Sequence, residues 1–182
     1  MPLPSTEHEV ESLHRLAINL PTVSLKNHEA TKERVLEELA RCNWAHLACH
    51  GKQVGGKPMS SGLLLDDGKL ELSEIIKTRL PNAEFAFLSA CETAVGDKGV
   101  PEESAHLAAG MLFAGFRGVV ATMWSIKDDV APQVAEDVYR SMLGNGKADY
   151  EEAVYGLHKA VRNLRERGER FENWVPFIHI GR

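Results

Sequence analysis

Two side chains in this sequence have the types and the settings for covalent chemistry. His50 follows an apolar run in "HLACHG", and Cys91 follows another in "LSACETAVGD". They lie 41 positions apart (91 − 50 = 41). A thiol is a weak nucleophile until it loses its proton, and an imidazole beside it can take that proton. Acyl transfer also needs donors for the developing oxyanion. Gly51 has no side chain, so its backbone N–H can approach a substrate closely, and the N–H of Cys91 is the second candidate. No Asn or Asp stands out to orient the imidazole. The pair therefore reads as a dyad, with His50 the general base and Cys91 the nucleophile.

A dyad requires elements that bring both residues to one place. Helical periodicity runs over Thr6–Leu16, with Leu13, Leu16 and Ala17 on one stripe, and over Glu29–Arg41, with Val35, Leu36 and Leu39 on another. "TVSL" reads as a short strand, and "WAHLAC" as a strand too short and too apolar for an amphipathic helix. A Gly-rich loop from Gly51 to Gly62 follows, read as a mobile rim over the site. "LLLDDGKLEL" is a hairpin signal with Asp67-Gly68 at its turn. "LSEIIKTRL" is helical, capped by Ser73 and stopped by Pro81. "EFAFLSA" is the strand before Cys91. Pro101, Glu102 and Glu103 suit the first turn of the next helix, which ends near Gly115. "GVVATMWSI" is a strand, "DDVAPQVAEDVYRSML" and "DYEEAVYGLHKAVRNLRER" are helices, and "WVPFIHI" is the last strand. Strands without a polar face, alternating with helices, mark a parallel sheet covered on both sides. Right-handed crossovers make such strands point the same way, and ligands bind at their carboxyl edge. His50 and Cys91 are both expected at that edge.

The totals narrow the function. The chain has 182 residues, 43% of them hydrophobic, which suits one domain over residues 1–182. Net charge is −5 and the most basic stretch, "RNLRERGERF", alternates in sign, so nucleic acid is not an expected partner. No run approaches the ~18 apolar residues of a membrane span. The start, "MPLPSTEHEVE", has no signal-peptide core. Three cysteines, an odd number, point to reduced thiols and a cytoplasmic protein.

"LACHG" followed by "LSACETAVGD" resembles the paired signature of the CHAT domain, a caspase-like cysteine peptidase module related to separase. The likeness continues through "GMLFAGFRGVVATMWSIKDD" to the closing "WVPFIHIG", and "LPSTEHEVE" also resembles family sequence. The resemblance implies a three-layer αβα sandwich with a mostly parallel sheet and a β-hairpin insertion after the catalytic His. The family's first central strand usually precedes the "LPSTE" segment, so this chain is expected to lack it, as the C-terminal part of a larger protein. The family's catalytic dyad maps onto His50 and Cys91. Separase-like peptidases carry an acidic residue in the segment similar to Asp128 and Asp129 and prefer a basic residue before the cut. The resemblance thus implies an endopeptidase acting on protein or peptide substrates after Arg, then Lys. It further implies control by TPR or nucleotide-binding signalling modules in the full-length protein, in a cell-death or defence pathway, with no cofactor.

Plainer readings stand beside these. Cysteine is commonly a small buried hydrophobe, and Cys42 and Cys49 are read as core. Asp128 is either an acidic pocket residue or the N-cap of the helix that follows. Trp124 and Ser125 either line the pocket or, for Trp124, pack in the core. Glu92 and Thr93 are read as bracing the loop, and His106 as structural. On one strand His46 and His50 would lie ~13 Å apart, too far to share a zinc ion. The Gly-rich loop lacks the spacing of a phosphate-binding loop, which disfavours a nucleotide- or flavin-binding domain. The main rival is a caspase-like interaction module that keeps the fold without cleaving.

Overall fold

The computed structural model describes residues 4–52, 54–89, 101–127, 129–144 and 148–182, with backbone alone at 4, 5 and 101–106. Its residues fall into two compact units, Val23–Ser125 with Ile180–Arg182, and Met1–Thr22 with Ile126–His179.

The first unit holds three strands of the main sheet and, of the fourth, only Ile180 and Gly181. Strands β1 (Trp44–Leu47), β5 (Phe85–Leu88) and β6 (Gly118–Thr122) are parallel neighbours, and β7 (Phe177–Gly181) completes the order β1-β5-β6-β7. All four residues of β5 are buried, as a strand covered on both faces must be. Cross-strand ring pairs hold β1 on β5. Trp44 meets Phe85 edge-on at 6.2 Å, and His46 stacks on Phe87 at 5.1 Å. Just before β5 and β6 begin, Glu84 N donates to Asn43 O and Arg117 N to Glu84 O, both at 2.8 Å, while Arg182 N, just past the end of β7, donates to Arg117 O at 2.9 Å. This is the mixed α/β class with a mostly parallel sheet expected of the sequence.

A second sheet, antiparallel, is inserted between β1 and β5. It contains β2 (His50–Lys52), β3 (Gly62–Leu65) and β4 (Gly68–Glu71) in the order β2-β3-β4. The hairpin is where the pattern placed it, but Leu65 pairs with Gly68, so Asp66-Asp67 form its turn. That turn docks on helix α2 (Lys32–Leu39). Thr31 accepts from Arg34 N at 3.4 Å, and the Asp67 carboxylate accepts from Lys32 N at 2.9 Å. A carboxylate there satisfies an otherwise unpaired donor and complements the helix dipole. Helix α3 (Leu72–Lys77) begins after Glu71 rather than at a Ser73 cap, because Glu74 accepts from Glu71 N at 2.9 Å. Helix α4 (Pro101–Ala114) opens on Pro101 and packs on α3 and β6.

"TVSL" forms no strand. Residues 21–26 are irregular and Val23 is 62% exposed.

The other unit is helical. Helix α5 (Val130–Leu143) buries Val130, Val134, Val138 and Met142 and packs on α1 (Pro4–Leu16) and α6 (Ala153–Glu166). On α1 the deepest side chains are polar, Glu9 and Ser12, while Leu13, Leu16 and Ala17 are half-buried. Ser12 accepts from Arg15 Nη2 at 2.8 Å. A short helix, α7 (Phe171–Trp174), precedes β7.

Candidate functional site

Strands β1, β5 and β6 deliver their carboxyl ends to one edge of the sheet. At that edge Leu47 pairs with Leu88. The β1–β5 register has a constant offset of 41 (85 − 44 = 41, 88 − 47 = 41). His50 and Cys91 have the same separation, and each comes three positions past the last residue of its strand (50 − 47 = 3, 91 − 88 = 3). Cys91, Asp128, Glu92 and Thr93 lie outside the described residues, as does the side chain of His106.

His50 is not the last residue of a long strand. β1 stops at Leu47, and His50 opens β2, opposite Leu64 of β3. Residues facing each other across an antiparallel pair share a face. Gly51, Leu63 and Leu70 form one row, and all three are buried. His50, Leu64 and Lys69 form the row on the opposite face, and all three are half-buried. The His50 Nδ1 atom is shielded from solvent. The stretch after His50 is therefore not simply a loose rim. It contains β2 and a 3₁₀ turn at Pro58–Ser60, and Ser61 accepts from Val54 N at 3.0 Å.

This arrangement depends on Gly62. A Cβ there would stand 2.0 Å from Leu70 O and 2.8 Å from Glu71 Cα. Only a residue without a side chain allows β3 and β4 to approach this closely, and β3 carries β2.

Cys49, expected on the strand opposite His50, lies in the link between β1 and β2. The residue is half-buried, yet burial of its thiol pushes the pKa up to about 12. Such a group stays protonated and inert at neutral pH. Cys42, also expected in the core, is half-buried, with its thiol facing Leu39 O at 3.7 Å.

Past β6, Trp124 is half-buried and Ser125 exposed. Trp124 thus reads as partly packed, and both residues follow the carboxyl end of a strand parallel to β1. Asp129, not Asp128, stands at the N-cap position of α5, and its side chain makes no capping bond. Its backbone carbonyl accepts from Gln133 Nε2 at 2.8 Å, and the residue is exposed.

The pattern gave no sign of Glu169 and Asn173. Both bond Lys127, which precedes the two aspartates, from 42 and 46 positions away. Their stretch, "RERGERFENW", reads as a solvated run of alternating charge, so no local signal marks them.

Among the described residues no three His, Cys, Asp or Glu side chains are grouped to hold a metal ion, and no helix is long and apolar enough to cross a membrane. The family model described as CHAT domain matches residues 1–182. No curated protein matches the chain.

Proposed function

The chain belongs to the CHAT domain family, and from that premise we propose that it is a cysteine endopeptidase working through His50 and Cys91. The observation that carries the reading is the β1–β5 register. Its offset of 41 is the separation of the two residues, and each follows its strand end by three positions. In this reading His50 takes the Cys91 proton, and the thiolate attacks the scissile carbonyl carbon to form a tetrahedral oxyanion. The N–H groups of Gly51 and Cys91 hold that oxyanion. On collapse the C–N bond breaks and His50 returns the proton to the leaving amine. Water, deprotonated by His50, then hydrolyses the thioester and restores the thiol.

Specificity in this reading comes from Asp128 and Asp129, with Trp124 and Ser125 lining the pocket. Carboxylates pair best with an Arg guanidinium, which can bind them in bidentate fashion, and less well with Lys. Cleavage after Arg, then Lys, is the expected preference. TPR or nucleotide-binding modules in the same polypeptide are the proposed controllers.

The test is an electrophilic peptide probe with Arg at the cleavage position, followed by peptide turnover. Wild type should be labelled at Cys91, and Cys91→Ala and His50→Ala should each lose at least a thousandfold in kcat/KM. Labelling of Cys91 that persists unchanged in His50→Ala would remove the base from the scheme. A chain that is neither labelled nor active, alone or with its upstream region, would instead be a non-cleaving interaction module.

A further inference from the structure

The unit Val23–Ser125 opens on an irregular stretch that ends in a basic residue, Lys26. Among the described residues, no N–H or C=O of Val23, Ser24 or Leu25 makes a hydrogen bond, and neither does that of the preceding Thr22. Val23 is 62% exposed. Lys26 is exposed as well, with extended backbone at φ −123° and ψ 141°. Its ammonium is in no ion pair among the described residues.

These are the properties of a peptidase substrate. A binding site holds an extended chain by main-chain hydrogen bonds and by a pocket for an anchoring side chain. A paired or buried segment must first be pulled from its partners, so nicking concentrates in exposed irregular stretches. Here four successive residues already offer their main chain, and Lys26 offers the side chain. The 3₁₀ turn Asn27–Glu29 follows. Glu29 N donates to Lys26 O at 3.0 Å, Ala30 N to Asn27 O at 2.9 Å, and Lys26 N to Glu29 Oε2 at 3.4 Å. The turn buries no residue, and Asn27 sits at a φ of 50°, where L side chains are disfavoured. Opening it therefore gives up no packed side chain. Basic residues of other described loops are held more closely. Lys57 N donates to Val54 O at 3.0 Å, Arg41 N to Glu38 O at 3.1 Å, and Arg117 N to Glu84 O at 2.8 Å. Lys127 is tied to Asn173 and Glu169, and Arg79 directly precedes the buried Leu80.

We propose that the Lys26–Asn27 bond is a processing site, cut by a second copy of this chain. The inference rests on the functional reading above and names a substrate for it, an exposed extended segment of the protein itself. The step is a hydrolysis. The C–N bond between Lys26 and Asn27 breaks, one water is consumed, and Lys26 ends as a carboxylate with Asn27 as a new amino terminus. The cut ends the covalent link between α1 and the unit that carries His50.

The substrate in the test is the full chain with Cys91→Ala, which lacks the nucleophile. Incubated with wild type, it should yield fragments 1–26 and 27–182 by intact-mass spectrometry, at a rate that rises with wild-type concentration. In that substrate Lys26→Gln should slow the cut about a hundredfold or more, and Lys26→Arg should speed it. A peptide with Arg at the cleavage position is the control for activity. Trypsin, which cuts after Lys and Arg, is the control for access. Wild type that turns over the Arg peptide but leaves the Lys26–Asn27 bond of the Cys91→Ala chain intact overturns this inference alone. So does a Lys26→Gln chain cut there as fast as its parent. Trypsin that cuts the Cys91→Ala chain after Arg41, Arg79 or Arg117 sooner than after Lys26 also overturns it, without touching the functional reading. Wild type that cuts neither the Arg peptide nor the Cys91→Ala chain overturns the functional reading and this one with it.

Discussion

Gly62→Ala should both destabilise the protein and weaken its chemistry, and the geometry sets the size of the effect. The added Cβ would sit 2.0 Å from Leu70 O, with Glu71 Cα and Leu70 C at 2.8 Å. All three are backbone atoms, so no side chain can rotate away. The β3 and β4 backbones must separate by roughly an ångström, which costs about 1–3 kcal/mol as overpacking. Separation also strains neighbouring bonds, among them Leu72 N to Ser61 O at 2.8 Å, each worth about 1 kcal/mol. With that one bond counted the sum is about 2–4 kcal/mol. For a chain of this size that lowers Tm by roughly 4–16 °C, at about 2–4 °C per kcal/mol. Thermal unfolding by circular dichroism reads the shift directly. Because Gly62 pairs with Lys52 in the strand that His50 opens, kcat/KM should also fall, at temperatures where the variant is still folded. Met142→Ala is the control. It empties a buried site in α5 at about 2–5 kcal/mol, and should lower Tm comparably while leaving kcat/KM unchanged where folded. A Gly62→Ala protein melting within about 2 °C of wild type would refute the close-approach argument. One that melts low but keeps full activity would show that the β2–β3 register does not position His50.

Three further outcomes follow from local chemistry. Glu169 has its carboxyl lowered to about 2 from 4.5, so its stabilisation is fully present above pH 4.5 and is lost as pH falls from there through about 2. Urea midpoints taken down this range should fall more steeply in wild type than in Glu169→Gln, and parallel profiles would refute the linkage. Cys49, with its thiol raised from 9.0 to about 12, should alkylate at pH 8 at least tenfold more slowly in the folded protein than in urea. Equal rates by peptide mass spectrometry would show that the thiol is not desolvated. Asp67→Ala removes the carboxylate that accepts from Lys32 N and should cost about 1 kcal/mol, or roughly 2–4 °C, whereas Asp67→Asn keeps an acceptor and should cost less. Equal losses in the two variants would point to a role other than this bond.

The sheet was legible in the sequence because burial on both faces leaves a chemical trace. "FAFL" and "GVVA" have no polar side and can only be covered strands, and strands of that kind separated by helices must run parallel. The pairing of β1 with β5 has the same origin, since both strands are dominated by apolar residues, and its register offset equals the spacing of 41 between His50 and Cys91 in the sequence. Uniform burial also hides things. "WAHLAC" is apolar apart from His46 and stays apolar past Leu47, so no change of period marks Leu47 as the end of β1. His50 belongs to β2 because β3 offers it partners, and β3 comes into reach only through the close packing at Gly62. "TVSL" has strand composition, but a strand needs a neighbour, and none meets residues 23–25 in the described structure. The start of α3 turned on which carboxylate reached which N–H: Glu74 found Glu71 N, and Ser73 had no such role. The tie between Lys127 and Glu169 spans 42 positions of helix and turn. Local composition records whether a residue will be buried. It does not record which distant charge will meet it, because that distance is set by the path of the chain between them.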